Sequence, residues 1–192
     1  MPRRSPEHWK AQEQRFLDAA RRCFTRLGVD SASMEELRIE AGVSAGAMYR
    51  YFPSKDELVH AAIETSLVEV EELITDIGLR EDATSPTQYL RVLLGDLAKF
   101  RRHTEGVDLF RLAIQGWAYA QSRPQTRAMI QDSAERQLAL YRKAAKRWTD
   151  RRKVNAVATA IAGVVMGYVV QSAFADTEID PTGYSDGLAL LS

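Results

Sequence analysis

Cysteine is all but missing from this sequence: Cys23 stands alone among 192 residues, so no disulfide can form within the chain. Excess charge is missing too. Lys and Arg number 26, as do Asp and Glu, so a nucleic-acid partner can be argued only from a local motif and patch. Glycine (11) and proline (6) are few and scattered, and no segment alternates apolar and polar residues in the manner of a strand. The three histidines, His8, His60 and His103, lack metal-ligand spacing, and there is no HExxH, no phosphate-binding glycine loop and no GxSxG. Cys23 falls on an apolar stripe and reads as a small buried hydrophobe rather than a reactive thiol. No catalysis, metal or cofactor is expected. Arg3 and Arg4 are followed by polar residues rather than an apolar run, so no secretory signal is legible and a cytoplasmic location is the expectation.

Hydrophobic residues make up 45% and charged residues 27% of the chain, the balance of a soluble globular protein of one domain or two small ones sharing a core. Nearly every long segment repeats its apolar residues at three-to-four spacing, which predicts an all-α fold. A first helix over about 7–27 carries Phe16, Ala20, Cys23, Phe24 and Leu27 as a stripe, with Arg15, Arg21, Arg22 and Arg26 beside it and Gly28 as its stop. Ser33 with Glu36 forms a capping box, Ser44 caps another helix, and Ser54 with Glu57 repeats the box before a long helix to about 77. Further helices are predicted over about 86–102, 105–120, 124–148 and 150–176, with a short tail helix holding Leu188, Leu190 and Leu191.

Charge is uneven along the chain although it sums to zero. Residues 1–27 hold seven basic and three acidic side chains, a net of +4, whereas residues 64–82 hold seven acidic and one basic, a net of −6. A second basic cluster, Arg142, Lys143, Lys146, Arg147, Arg151, Arg152 and Lys153, reads as a solvated helix surface ahead of a binding patch.

From Ser33 to Phe52 the pattern is that of a helix-turn-helix: one helix over about 34–41, a tight turn at Gly42, and a second helix over about 45–51. If Val43, Met48 and Phe52 point inward against Leu37, then Ala45, Gly46, Tyr49 and Arg50 lie outward. Small residues at a helix start let the backbone approach a groove, its amides and the Ser44 hydroxyl suit a phosphate, and Arg50 suits a guanine edge. Tyr51 and Phe52 read instead as packing of the small head.

The run from Ala41 to Leu58, with its pattern A-G-V-S-x-G-x-x-Y-x-Y-F-x-x-K-x-x-L, closely resembles the DNA-binding motif of TetR-family transcriptional regulators, over roughly residues 10–60. The resemblance implies an all-α fold with an N-terminal three-helix DNA-binding head (1–53) and a larger helical ligand-binding and dimerisation body (54–192). It maps phosphate contacts onto Ser33, Ser44, Tyr49, Tyr51 and Lys55, and base-reading positions onto Ala45, Ala47 and Arg50, with Gly46 between them. Two positions depart from the family. Ala45 stands where Lys is frequent, shifting weight to Arg50 and the N-terminal basic residues. Arg38 replaces a small inter-helix residue, so it either points outward, toward DNA, or the packing differs.

In the body, residues 154–175 carry no charge, long enough for a membrane span, but the run is alanine-rich and broken by Asn155, Thr159, Gln171 and Ser172. A subunit interface through Ala156, Ala160, Gly163, Val164, Gly167, Val170 and Phe174 is the preferred reading, with no membrane partner. The resemblance implies a homodimer whose recognition helices lie roughly 34 to 36 Å apart on a near-palindromic double-stranded operator. Phe100, His103, Phe110, Ile114, Gln115, Trp117, Met129, Tyr141 and Met166 are candidates to line an effector pocket, with Gln115 or His103 orienting a small apolar or aromatic molecule whose binding releases DNA. The expected function is thus a one-component regulator, as a repressor; the alternative is a non-catalytic dimeric scaffold or adaptor that has lost sequence-specific DNA binding, for which Ala45 is the only hint.

Overall fold

The computed structural model of the protein describes residues 6–79 and 83–190, and among these it contains nine α-helices and no strand. Helix α1 (Pro6–Leu27) ends where Gly28 turns left-handed at φ 91°. The reciprocal capping box of Ser33 and Glu36 starts α2 (Met34–Ala41), and Ser44 starts α3 (Ala45–Tyr51) by accepting the Ala47 N–H at 3.3 Å. Gly42, at φ 65°, gives its N–H to the Ile39 carbonyl at 3.0 Å. Arg38 closes this turn: its Nη1 donates to the Val43 carbonyl at 2.8 Å while the rest of the guanidinium holds Glu35. The side chain is therefore spent on the helix-turn-helix itself. A Cβ at position 42 would meet nothing within 4 Å, so Gly42→Ala carries only a backbone penalty. We expect it to lower stability by about 1–2 kcal/mol, read as a shifted urea midpoint at unchanged slope.

Phe16, Phe24, Leu37, Met48 and Phe52 bury the head's core, with Cys23 fully inside it as a hydrophobe. That core continues into α4 (Lys55–Leu79) through Leu58, Val59 and Ala62. With 25 residues α4 is about 37 Å long, and its far end delivers Ile74 and Ile77 to a second core. There they meet α5 (Pro86–Phe100), α6 (Leu109–Ala120), α7 (Pro124–Ala145) and α8 (Val154–Phe174) around Leu93, Leu94, Phe110, Tyr141, Ile161 and Tyr168. The last helix, α9 (Pro181–Ala189), folds back onto α5. Leu190 beyond it is exposed, while Arg3, Arg4, Leu191 and the Leu188 side chain lie outside the described residues.

Several helix ends differ from the sequence expectation by a few residues. The sixth helix starts at Leu109 rather than near 105, because Gly106 turns at φ 74° and Asp108 caps it, accepting from the Phe110 and Arg111 N–H groups. The seventh stops at Ala145, short of Trp148, whose indole N–H is held by the Ala83 carbonyl at 3.0 Å. By length and mean hydropathy (1.7) α8 could cross a membrane, but one of its faces carries Ala158, Ile161, Tyr168 and Val169 into the body's core.

Candidate functional site

Four regions of the structure bear on the candidate sites. The first is the outer face of α3. Ala45, Gly46, Tyr49 and Arg50 are exposed, Met48 and Phe52 are buried, and Ala47 and Val43 are half-buried. A Cβ on Gly46 would meet nothing within 4 Å. The Arg50 guanidinium rests 5.1 Å from the Trp9 ring centre and 5.8 Å from that of Tyr51, so α1 steadies it where it emerges. Trp9, about 38% exposed, was not singled out from the sequence. Tyr51 packs between Trp9 and Phe16, with centroids 4.8 and 4.9 Å away. Ser33 and Ser44 cap their helices, and Lys55 donates to the Asp30 carbonyl at 2.8 Å, closing the loop between α1 and α2.

The second is the joint between head and body. Asp56, at the start of α4, accepts the Tyr119 hydroxyl and lies 3.4 Å from Arg123, whose guanidinium covers the Tyr119 ring at 3.6 Å. Burial and the bond to Asp56 push the Tyr119 hydroxyl well above the tyrosine range, and that bond holds the Asp56 carboxyl below its usual value. Gln115 accepts the Val29 N–H at 2.7 Å, the Thr25 hydroxyl accepts the Asp108 N–H at 3.2 Å, and Gly116 leaves room for Ile63. Arg21 of α1 clasps Glu69 of α4 in a two-pronged pair at 2.9 and 2.6 Å.

The third is a cavity of about 230 Å³ between head, α4 and the body, far larger than a water site. Five expected residues line it: Phe100, Phe110, Trp117, Tyr141 and Met166. The other four do not. Gln115 is spent on the joint, and Ile114 packs into the body core. His103 stacks on Phe100, centroids 4.0 Å apart, and Met129 borders a groove on the outside of α4 and α7. The polar lining is instead Arg21, Ser66, Gln137 and the Tyr141 hydroxyl, which burial pushes well above the tyrosine range. A signal for Arg21 was present: it follows Leu17 by four residues and precedes Phe24 by three, a charge inside the apolar stripe rather than beside it. Among the described residues, no carboxylate lines the cavity and no group of His, Cys, Asp and Glu converges as metal ligands do.

On the far side of α8, Ala156, Ala160, Gly163 and Phe174 are exposed, and Val164, Gly167 and Val170 half-buried. The two glycines part company: a Cβ at Gly167 would crowd the Tyr184 hydroxyl of α9 at 3.1 Å, whereas one at Gly163 would meet nothing.

Compared with known proteins, residues 16–62 match the family "Bacterial regulatory proteins, tetR family". The HTH-type transcriptional repressor Rv1474c of Mycobacterium tuberculosis is 32% identical over 93 residues, 46% of this chain and 50% of the relative. The chain thus spans about half the length of the curated relatives it matches. Fold likeness extends further. A crystal structure of the Bacillus subtilis regulator FadR in complex with stearoyl-CoA superposes with a TM-score of 0.73 at 16% identity, covering 93% of this chain and 95% of the other. A regulator from Saccharomonospora viridis in complex with choline superposes with a TM-score of 0.70 at 17% identity, covering 95% of each chain. The head is thus matched in sequence by the tetR family of bacterial regulatory proteins, and the helix order of the whole chain is matched in space by solved regulators of the same fold.

Proposed function

We propose that the protein is a one-component transcriptional repressor that binds a near-palindromic operator as a homodimer and leaves it when a small apolar molecule fills the cavity. The observation that carries this reading is Gly46. A glycine inside a helix costs about 1 kcal/mol against alanine, and among the described residues no side chain needs the space it leaves. Its missing side chain serves a close approach from outside, and Tyr49 and Arg50 stand exposed on the same face. Arg50 reads a guanine edge; Ser33, Ser44, Tyr49, Tyr51 and Lys55 contact phosphates or hold the loops that do. The exposed stripe on α8 supports the dimer. Soluble and cytoplasmic placement follows from this role.

Neighbours of the same fold hold ligands as different as stearoyl-CoA and choline, so the fold does not choose the effector and the cavity's own lining must. Here that lining is overwhelmingly aliphatic and aromatic. Its walls come from α1, α4, α5, α6, α7 and α8, so a bound molecule touches both head and body and can favour one arrangement of the two over the other.

The test is binding of the purified protein to DNA upstream of its own gene, at two salt concentrations and against scrambled competitor. Competitor-resistant binding over two half-sites is the expected result. Arg50→Ala is expected to cost about 1–3 kcal/mol and relax sequence preference at one base pair in each half-site. Loss of all binding to scrambled competitor, followed by failure of a genomic fragment selection to enrich any site, would turn the reading to the scaffold alternative.

A further inference from the structure

We infer that the cavity takes an apolar molecule bearing one carboxylate, and that this carboxylate docks on Arg21, so that the DNA-binding head supplies part of the effector site. The inference rests on the reading of the cavity as the effector site.

Arg21 is the one charged residue among the described residues that line the cavity, and only 1% of its surface is exposed. A guanidinium offers two planar edges to carboxylates, one through both Nη atoms and one through Nε and a single Nη. Glu69 occupies the first, with Nη1 to Oε1 at 2.9 Å and Nη2 to Oε2 at 2.6 Å. On the second edge the Nε–H is buried and has no hydrogen-bond partner, with Asp18 reaching only Nη1 at 3.7 Å. Other polar groups of the lining are already engaged: Ser66 donates to the Ala62 carbonyl at 3.0 Å and Gln137 to Ser133 at 3.2 Å. The Tyr141 hydroxyl is the second buried group without a partner, on the α7 wall. Among the described residues a cation finds no carboxylate in the lining, whereas an anion finds an arginine whose buried Nε–H has no partner.

Competition for Arg21 favours the newcomer. The Glu69 and Asp18 side chains are 24% and 31% exposed and can turn to water, and Glu69 has His103 Nε2 at 3.8 Å as another neighbour. Arg21 has no such route. A ligand carboxylate on the open edge repels Glu69 and loosens the pair that ties α1 to α4. Filling the cavity and freeing the head from its linker helix thus become one event.

The experiment titrates the full-length protein with decanoate, methyl decanoate and decylamine. A change in tryptophan fluorescence reports occupancy, since of the three tryptophans Trp117 lines the cavity, and release of bound DNA fragments reports the switch. Decanoate is expected to bind at least tenfold more tightly than its ester, and decylamine to leave Trp117 unchanged. Arg21→Lys, which keeps the charge but loses the forked edge, is expected to bring decanoate down to the ester's affinity while leaving the ester's own binding intact. Should that variant not fold, the three-ligand series on the unaltered protein still decides. Equal binding of decanoate and the ester overturns the role of Arg21 and leaves the apolar effector reading standing. Tightest binding of decylamine overturns the carboxylate outright. No binding by any of the three overturns the effector reading along with it.

Discussion

Glutamate in place of Gly163 is expected to leave the protein monomeric at micromolar concentration and to weaken operator binding by about 10²–10⁴-fold, the factor lost when two linked half-site contacts become independent. Within the protomer the change is harmless: a Cβ at position 163 meets nothing within 4 Å, and glutamate suits a helix interior better than glycine. Any loss must therefore come from a second copy seated against α8. There the new carboxylate would be buried between Ala160, Val164 and their counterparts without a positive partner, which association does not tolerate. Sedimentation velocity gives the oligomeric state and a DNA titration gives the affinity. Gly95→Ala on α5, another site where a Cβ meets nothing, serves as the control and should change neither. A dimer that survives Gly163→Glu would move the interface elsewhere on the molecule.

What was legible in the sequence follows the range of the forces involved. The head could be read almost to the residue because its signals are local: Ser33 and Glu36 are three residues apart, Gly42 sets one turn, and Ser44 caps the helix that follows. The orientation of α3 was also available, since Met48 and Phe52 repeat at helical spacing against the head's core. Body helices were visible as periodicities, but their ends were not. The start of α6 depends on Arg101 and Asp108 finding each other, and the end of α7 on Trp148 packing against Tyr89 at 5.3 Å. The cavity was the least legible part. Four aromatics and a methionine at helical spacing named five of its lining residues, but its polar groups sit on helices chosen by tertiary packing, and Arg21 belongs to the head. Gln115 and His103 illustrate the reverse error: both are polar and both lie in the right stretch, but backbone groups and a neighbouring ring had already taken them.

Asp108→Asn is expected to destabilise the protein by about 3–5 kcal/mol at pH 7, a large share of the 5–15 kcal/mol typical of a whole domain. Asparagine keeps the shape and an oxygen to cap α6, so the loss isolates the charge. Arg101 and Asp108 are both buried, joined by bonds of 2.9 Å from Nε and 2.7 Å from Nη2, and the variant leaves Arg101 charged with no counter-ion. Burial alone would raise the Asp108 carboxyl, but the bonds from Arg101 and the Arg111 N–H override it and hold the carboxyl below its ordinary value of 3.8. A carboxyl depressed by folding contributes stability above its unfolded value and loses it as pH falls through the folded one. Urea titrations should therefore show the gap between wild type and variant open at pH 7 and narrowing below about pH 4. Combining Asp108→Asn with Arg101→Met should restore much of the stability, because the unpaired buried cation goes with it. The pair matters beyond its own corner. Asp108 also gives its N–H to Thr25 of α1, and Gly106 in the same loop makes room for Arg22, so the segment that this ion pair fixes is the ledge on which the head rests.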